Sequence, residues 1–150
     1  MNEVATLAIA KLQNALAALP QHPGFDTMHR FTDGMYAREI AIPPMIAIVS
    51  KMHAKSCFFV MLEGDLTISS RAGVKHLVAG DVTIAEAGKR AVVSKNGCRA
   101  LTVHRLDPVT EDLNEIEAQL TVPEECSNYD MDNQLKDPAL AAPSQLALLE

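Results

Sequence analysis

HAKSCFFVMLEGDLTI, residues 53–68, holds the longest apolar run in the chain, Cys57 to Leu62, followed by Gly64-Asp65 and the β-rich DLTISS. Six apolar residues fall far short of the ~20 that a membrane-spanning helix needs. The aromatic and β-branched content on either side of a glycine predicts strand, turn, strand. A second stretch, GDVTIAEAGKRAVVSKNG at 80–97, has the same make-up, with turns expected at Gly80-Asp81, Gly88 and Asn96-Gly97. Outward from these lie MYAREIAI, MIAIVS, VKHLV and CRALTVH, punctuated by Asp33-Gly34, Pro43-Pro44 and Ala72-Gly73. Short strands with turns this frequent predict an all-β sandwich or barrel between residues 27 and 106. Asn96-Gly97 gives the strongest single hairpin signal, because a type I′ turn needs positive φ at both positions.

The flanks read differently. Val4, Leu7, Leu12, Leu16 and Leu19 recur near a helical period, which predicts an amphipathic helix over 3–19 with Asn2 as N-cap and Pro20 as its stop. Its other face is mostly alanine, small enough for close packing against another subunit. After Asp107-Pro108, Asp112 and Glu115 stand at capping-box spacing, and Leu113, Ile116 and Leu120 form the expected buried stripe of a second, short helix. Residues 124–150 carry little core-forming periodicity before the closing ALLE, and Pro138 and Pro143 mark an extended arm. The expected organisation is residues 1–26 as helix and linker, 27–122 as barrel with C-terminal helix, and 123–150 as an acidic arm.

Charge divides along the same boundary. The formal net charge of −6 separates into +3 over residues 1–110 and −9 over residues 111–150. An acidic tail on a mildly basic body argues against nucleic acid as a partner. Cys57, Cys98 and Cys126 are an odd number with no CxxC, which fits reduced thiols rather than a disulfide framework. The N-terminus lacks the pattern of a signal peptide, so a chain that is not secreted and not membrane-bound is expected.

The two glycine-anchored stretches resemble the paired signature motifs of the cupin superfamily, whose metal-binding members carry three His and one Glu. In the first motif, G-x5-H-x-H-x3-4-E-x6-G anchored on Gly64, Lys51 and His53 take the two His positions and Cys57 the Glu. In the second, anchored on Gly80 and Gly88, Glu86 replaces the Pro, Ala91 the ligand His and Lys95 the Asn. The chain is more closely similar to small cupin-like proteins of tailed bacteriophages over roughly residues 34–122. Arg38, Glu39, Pro44, Lys51, His53, His104, Asp112, Leu113 and Glu117 carry that resemblance. It implies a cupin or jelly-roll β-barrel kept as a scaffold, located in a virion or the host cytoplasm. The implied role is a non-catalytic head, neck or tail accessory subunit, a homo-oligomer or a partner of other virion proteins.

On this reading there are no catalytic or cofactor-binding residues, no cofactor and no resident metal. His53, Cys57 and His104 are the residual metal candidates if a site exists, with His76 a further imidazole that convergence would recruit. Thr102 and His104 share one strand face, which periodicity alone does not assign to the interior. Arg38 is expected at a barrel rim or in an ion pair. Lys89, Arg90, Lys95, Arg99 and Arg105 make the last part of the barrel basic, suited to an acidic arm or a small anion. Two other functions stay open: a metal-dependent cupin enzyme of the dioxygenase or isomerase class, and a metal-free small-molecule-binding cupin.

Overall fold

A computed structural model describes residues 2–122 and 128–141, with side chains from residue 7 onward. Cys126, Pro123 and the closing ALLE therefore lie outside the described residues, as does the side chain of Val4. In chain order the elements are α1 (Asn2–Ala17), β1 (Thr27–Thr32), β2 (Met35–Ile42), β3 (Ala47–Val49), β4 (Cys57–Ser70) and β5 (Gly73–Val78). They continue with β6 (Val82–Ala85), β7 (Ala91–Val93), β8 (Cys98–Arg105), α2 (Leu113–Leu120) and a 3-10 turn at Pro138–Leu140. The strands form one curled antiparallel sheet in the order β1-β2-β8-β4-β7-β3, with β5 and β6 also paired to β4. Mainly β, curled into a half-barrel and flanked by an N-terminal and a short C-terminal helix, the architecture is the one the strand pattern predicts.

Strand β4 is longer than its sequence suggests. Gly64-Asp65 is not a turn between two strands but a kink inside one strand of 14 residues. Its first half pairs with β6 and β8, and its second half with β5 and β7. The register against β8 shifts between Met61 and Glu63, a bulge that bends the strand from one side of the half-barrel to the other. Gly64 makes the bend possible. It holds φ +78°, and a Cβ built there would lie 2.0 Å from the carbonyl oxygen of Gly97.

Asn96-Gly97 also differs from expectation. Only Gly97 has positive φ, and β7 pairs with β3 and β4 while β8 pairs with β2 and β4, so the turn links two separated strands. The Asp65 carboxylate fixes it, accepting from the backbone nitrogens of Lys95 and Asn96 and from Asn96 Nδ2. The two-residue turn with positive φ at both positions is instead Asp33-Gly34, at 44° and 78°, joining β1 to β2.

One core cluster fills the half-barrel around Phe59, Met61, Leu66, Ile68, Leu77 and Ala100. A second, built from Tyr36, Leu106, Ile116, Leu120 and Met131, lies under α2 and the C-terminal segment. The Asp112 carboxylate caps α2 by accepting from the nitrogens of Asn114 and Glu115. Glu115 bonds the Thr110 hydroxyl rather than completing the reciprocal half of the box. Helix α1 turns a different face inward from the one its leucines suggest. Ile9 is buried and Gln13 and Leu16 half-buried, while Leu7, Leu12 and Leu19 are exposed. The reason is its sparse seating: α1 rests on the sheet chiefly through β3 and β4.

The described part of the C-terminal segment packs against its own barrel. Phe25 N donates to Asn133 O, Leu135 N to Pro23 O and Gln21 N to Leu140 O, so residues 21–25 and 133–140 run together. Tyr129 donates its hydroxyl to His22 O, and Met131 enters the second core cluster.

Replacing Gly64 by Ala should destabilise the fold by about 3 kcal/mol or more, since strained φ and a backbone clash combine. Gly73→Ala, with nothing within 4 Å of the added carbon, should cost only the backbone strain of about 1–2 kcal/mol. Urea denaturation of the two variants checks the ranking.

Candidate functional site

Strand alternation builds one wall of a cavity at the mouth of the half-barrel. On β2, Tyr36, Arg38 and Ile40 point inward, and their direct cross-strand partners on β8 are His104, Thr102 and Ala100. Phe59 of β4 and Ile48 of β3 add apolar surface, and Arg90, just before β7, closes one side. Gln13 and Leu16 of α1, Phe25, Met131 and Asn133 form the roof. The cavity, open on one side, has a volume of about 500 Å³. Ligand sites typically fall between about 300 and 1,000 Å³, apolar in the main with a few placed polar groups, and this cavity has that character.

His53 enters from the loop before β4. Its backbone is fixed in both directions to Gly88, N to O at 3.0 Å and O to N at 2.9 Å. The two glycine-anchored stretches thus meet at His53 and Gly88. His53 and His104 line the same cavity. Burial first, then the guanidinium of Arg90, pushes both imidazoles down, His53 to about 3 and His104 to about 4. Both are neutral at neutral pH. Nε2 of His104 lies 2.9 Å from Thr102 Oγ1, and its ring stacks on Tyr36 at 5.7 Å. The Tyr36 hydroxyl meets His29 Nδ1 at 2.6 Å, and His29 Nε2 meets Asp132 at 2.8 Å. Burial pushes the Tyr36 phenol up to about 12.

The other candidates stand apart. Cys57 is buried on β4, outside the cavity lining, and burial raises its thiol. A thiol in that state is a poor nucleophile. Cys98 is likewise buried with its pKa raised by burial. His76 lies on the outer part of β5 beside Thr67 and does not join the other imidazoles. Lys51, at the first ligand position of the motif, is tied to Glu117 at 2.8 Å. Ala91 sits in the ladder between Val49 and Ser69. Glu39 forms an outer network with Arg99 and Arg30 that holds its carboxyl low, and Glu63 is exposed.

A cupin-type metal centre does not fit these residues. Among the described residues no group of three or more His, Cys, Asp or Glu could hold an ion. The charged side chains that line the cavity are Arg38, Arg90 and Lys51, all cations, which oppose a divalent cation. Arg38 and Arg90 are the site residues that periodicity leaves unmarked. Among the described residues Arg38 makes no ion pair; its Nη2 donates to Met131 O and Asn133 Oδ1. The alternation of Tyr36, Arg38 and Ile40 holds the relevant signal, but not which face is inner.

The fold is a curled antiparallel half-barrel with a partly covered mouth. No protein-family model matches the chain, and no curated protein matches it. Solved structures to which it is similar include a cupin-2 domain protein from Shewanella frigidimarina, at 14% identity and TM-score 0.46 over 63% of this chain and 92% of that one. A protein from Neisseria meningitidis is 15% identical over 63% of this chain and 96% of its own, with TM-score 0.49. Ectoine synthase from P. lautus is 11% identical over 58% and 67%, with TM-score 0.48. These likenesses concern strand arrangement alone.

The neutral imidazoles tie stability to pH. Their folded pKa values lie below the ordinary value of 6.5, so below pH 6.5 the unfolded chain binds protons that the folded one does not. Stability is full above about pH 6.5 and should fall by about 2 kcal/mol per histidine between pH 7 and pH 5. Denaturant titration across that window checks it, and His104→Gln should remove roughly half of the slope.

Proposed function

We propose that this protein is a non-catalytic, metal-independent binding module that holds a small molecule in the mouth of its half-barrel. The observation that carries the reading is the cavity of about 500 Å³, roofed by α1 and by the protein's own C-terminal segment. Aliphatic and aromatic walls surround a small set of polar groups that the backbone positions firmly. His53 is locked to Gly88, and Thr102 and His104 are set by the β2–β8 register. Nothing in that set supplies a nucleophile with its base. The buried histidines are neutral, and the cysteine nearest the cavity is a buried, high-pKa thiol outside it.

A ligand bound in the cavity stabilises the folded state by mass action, about 2.7 kcal/mol at a hundredfold excess over Kd. Thermal melting against a metabolite panel should therefore yield hits that raise the melting temperature. Ile48→Trp, which fills the cavity, should abolish the rise. A flat panel, or hits that survive the tryptophan, would remove the reading.

A second reading rests on a different observation. Phe58, Ile84 and Val82 are exposed on the paired strands β4 and β6, at 55%, 52% and 63% of their surface. Contiguous apolar surface of this kind marks contact sites. A virion accessory subunit, the role that the phage resemblance implies, would bury it against copies of itself or another structural protein. Light scattering should then give a dimer or larger species that Phe58→Glu with Ile84→Glu reduces to a monomer. A wild-type monomer at high concentration would count against self-assembly.

A further inference from the structure

The cavity has one sign of charge. Of its lining residues, Arg38, Arg90 and Lys51 are cationic, and none of the described ones is Asp or Glu. Lys51 is neutralised by Glu117. Arg38 has two neutral acceptors, Met131 O and Asn133 Oδ1, while its Nε is buried without a partner. Arg90 is the more isolated of the two. It is 5% exposed, its Nε and Nη2 are shielded from water with no hydrogen bond, and no described carboxylate pairs with it. Its side-chain hydrogen-bond partner is the Cys57 thiol.

Burying a guanidinium is costly unless an opposite charge and hydrogen bonds offset the lost hydration. Arginine is also the side chain best shaped to grip a carboxylate or phosphate, through paired N–H donors in one plane. The neutral rings of His53 and His104 each carry one N–H that can donate, as does the Thr102 hydroxyl. Opposite these groups, Leu16, Ile40, Ile48, Phe59 and Ala100 offer apolar surface. We propose that the cavity is a site for a small organic anion, a carboxylate or phosphate head on an apolar body, with Arg90 and Arg38 holding the head. This proposal rests on the reading of the cavity as a binding site and adds the chemistry of its ligand.

Thermal melting and calorimetry on the full chain at pH 7 test it, with hexanoate, hexyl phosphate, hexanol, hexylamine and inorganic phosphate as probes. The expected result is that hexanoate or hexyl phosphate binds at least tenfold more tightly than hexanol, hexylamine or inorganic phosphate. Whichever of the two binds identifies the head group. Equal binding of hexanol or hexylamine would overturn the anion assignment while leaving a binding cavity. Binding of inorganic phosphate as tight as that of the organic anions would overturn the apolar body. No binding by any probe, with Ile48→Trp indistinguishable from wild type, would overturn the cavity reading and the anion together.

Arg90→Met separates recognition from structure. Removing an uncompensated buried cation should leave the empty protein at least as stable as wild type, and anion affinity should drop tenfold or more. A variant that retains the anion response refutes the role of Arg90. If Arg90→Met does not fold, the wild-type imidazole signals of His53 and His104 decide by NMR. An anion beside them should raise both apparent pKa values, and a saturating anion that moves neither overturns the proposal.

Discussion

The fold depends on the contact between Gly64 and the Gly97–Cys98 backbone. Strand β4 pairs with four other strands, and it does so by crossing from one side of the half-barrel to the other at a single bulge. At that bulge the backbone of Gly64 comes against Gly97 and Cys98 so closely that no side chain fits between them. Asp65, the next residue, holds the 95–97 turn from the opposite side through three hydrogen bonds. The approach fixes where β8 begins, and the β2–β8 register follows from it. Tyr36, Arg38 and Ile40 therefore face His104, Thr102 and Ala100 across one wall of the cavity.

The sheet alone leaves that cavity open. It is roofed because α1 and residues 128–141 lie across the mouth and are joined by the 21–25 segment. The roof is attached by polar contacts, among them Lys89 to Gln13 and Arg38 to Asn133, and by the buried side chains of Ile9, Phe25 and Met131. Hydrogen bonds of this kind contribute about 1 kcal/mol each. The half-barrel, by contrast, is held by a continuous apolar cluster from Ile42 to Ala100.

The strands were legible because alternation and turn residues act locally. β5, β6, β7 and β8 fall within a residue or so of the runs VKHLV, VTIAE, AVVS and CRALTVH. What misled was long-range. Gly64-Asp65 and Asn96-Gly97 both carry turn chemistry, yet each serves the other's close approach, and neither alone shows that the two segments meet. The leucines of α1 keep a helical period, but a helix resting on few contacts need not bury its most apolar face. At the site, His53 and His104 stood out as residue types, whereas Arg38 read as a rim or ion-paired residue and Arg90 only as one of five basic residues. An arginine in a half-exposed strand is usually solvated, and only the partly covered mouth makes these two unusual.

The sign of the cavity follows from the residues that line it. In the metal-binding motif the inward positions would present imidazoles and a carboxylate, a set that attracts a cation. Here Cys57, at the carboxylate position, is a neutral thiol beside Arg90, and Ala91 leaves the ladder intact without a ligand. With the carboxylate absent and two guanidiniums present, the remaining imidazoles are driven to their neutral forms, burial and the arginines acting in the same direction. A neutral imidazole is a good metal ligand in isolation, but beside unpaired guanidiniums it faces a field that repels metal ions and draws anions.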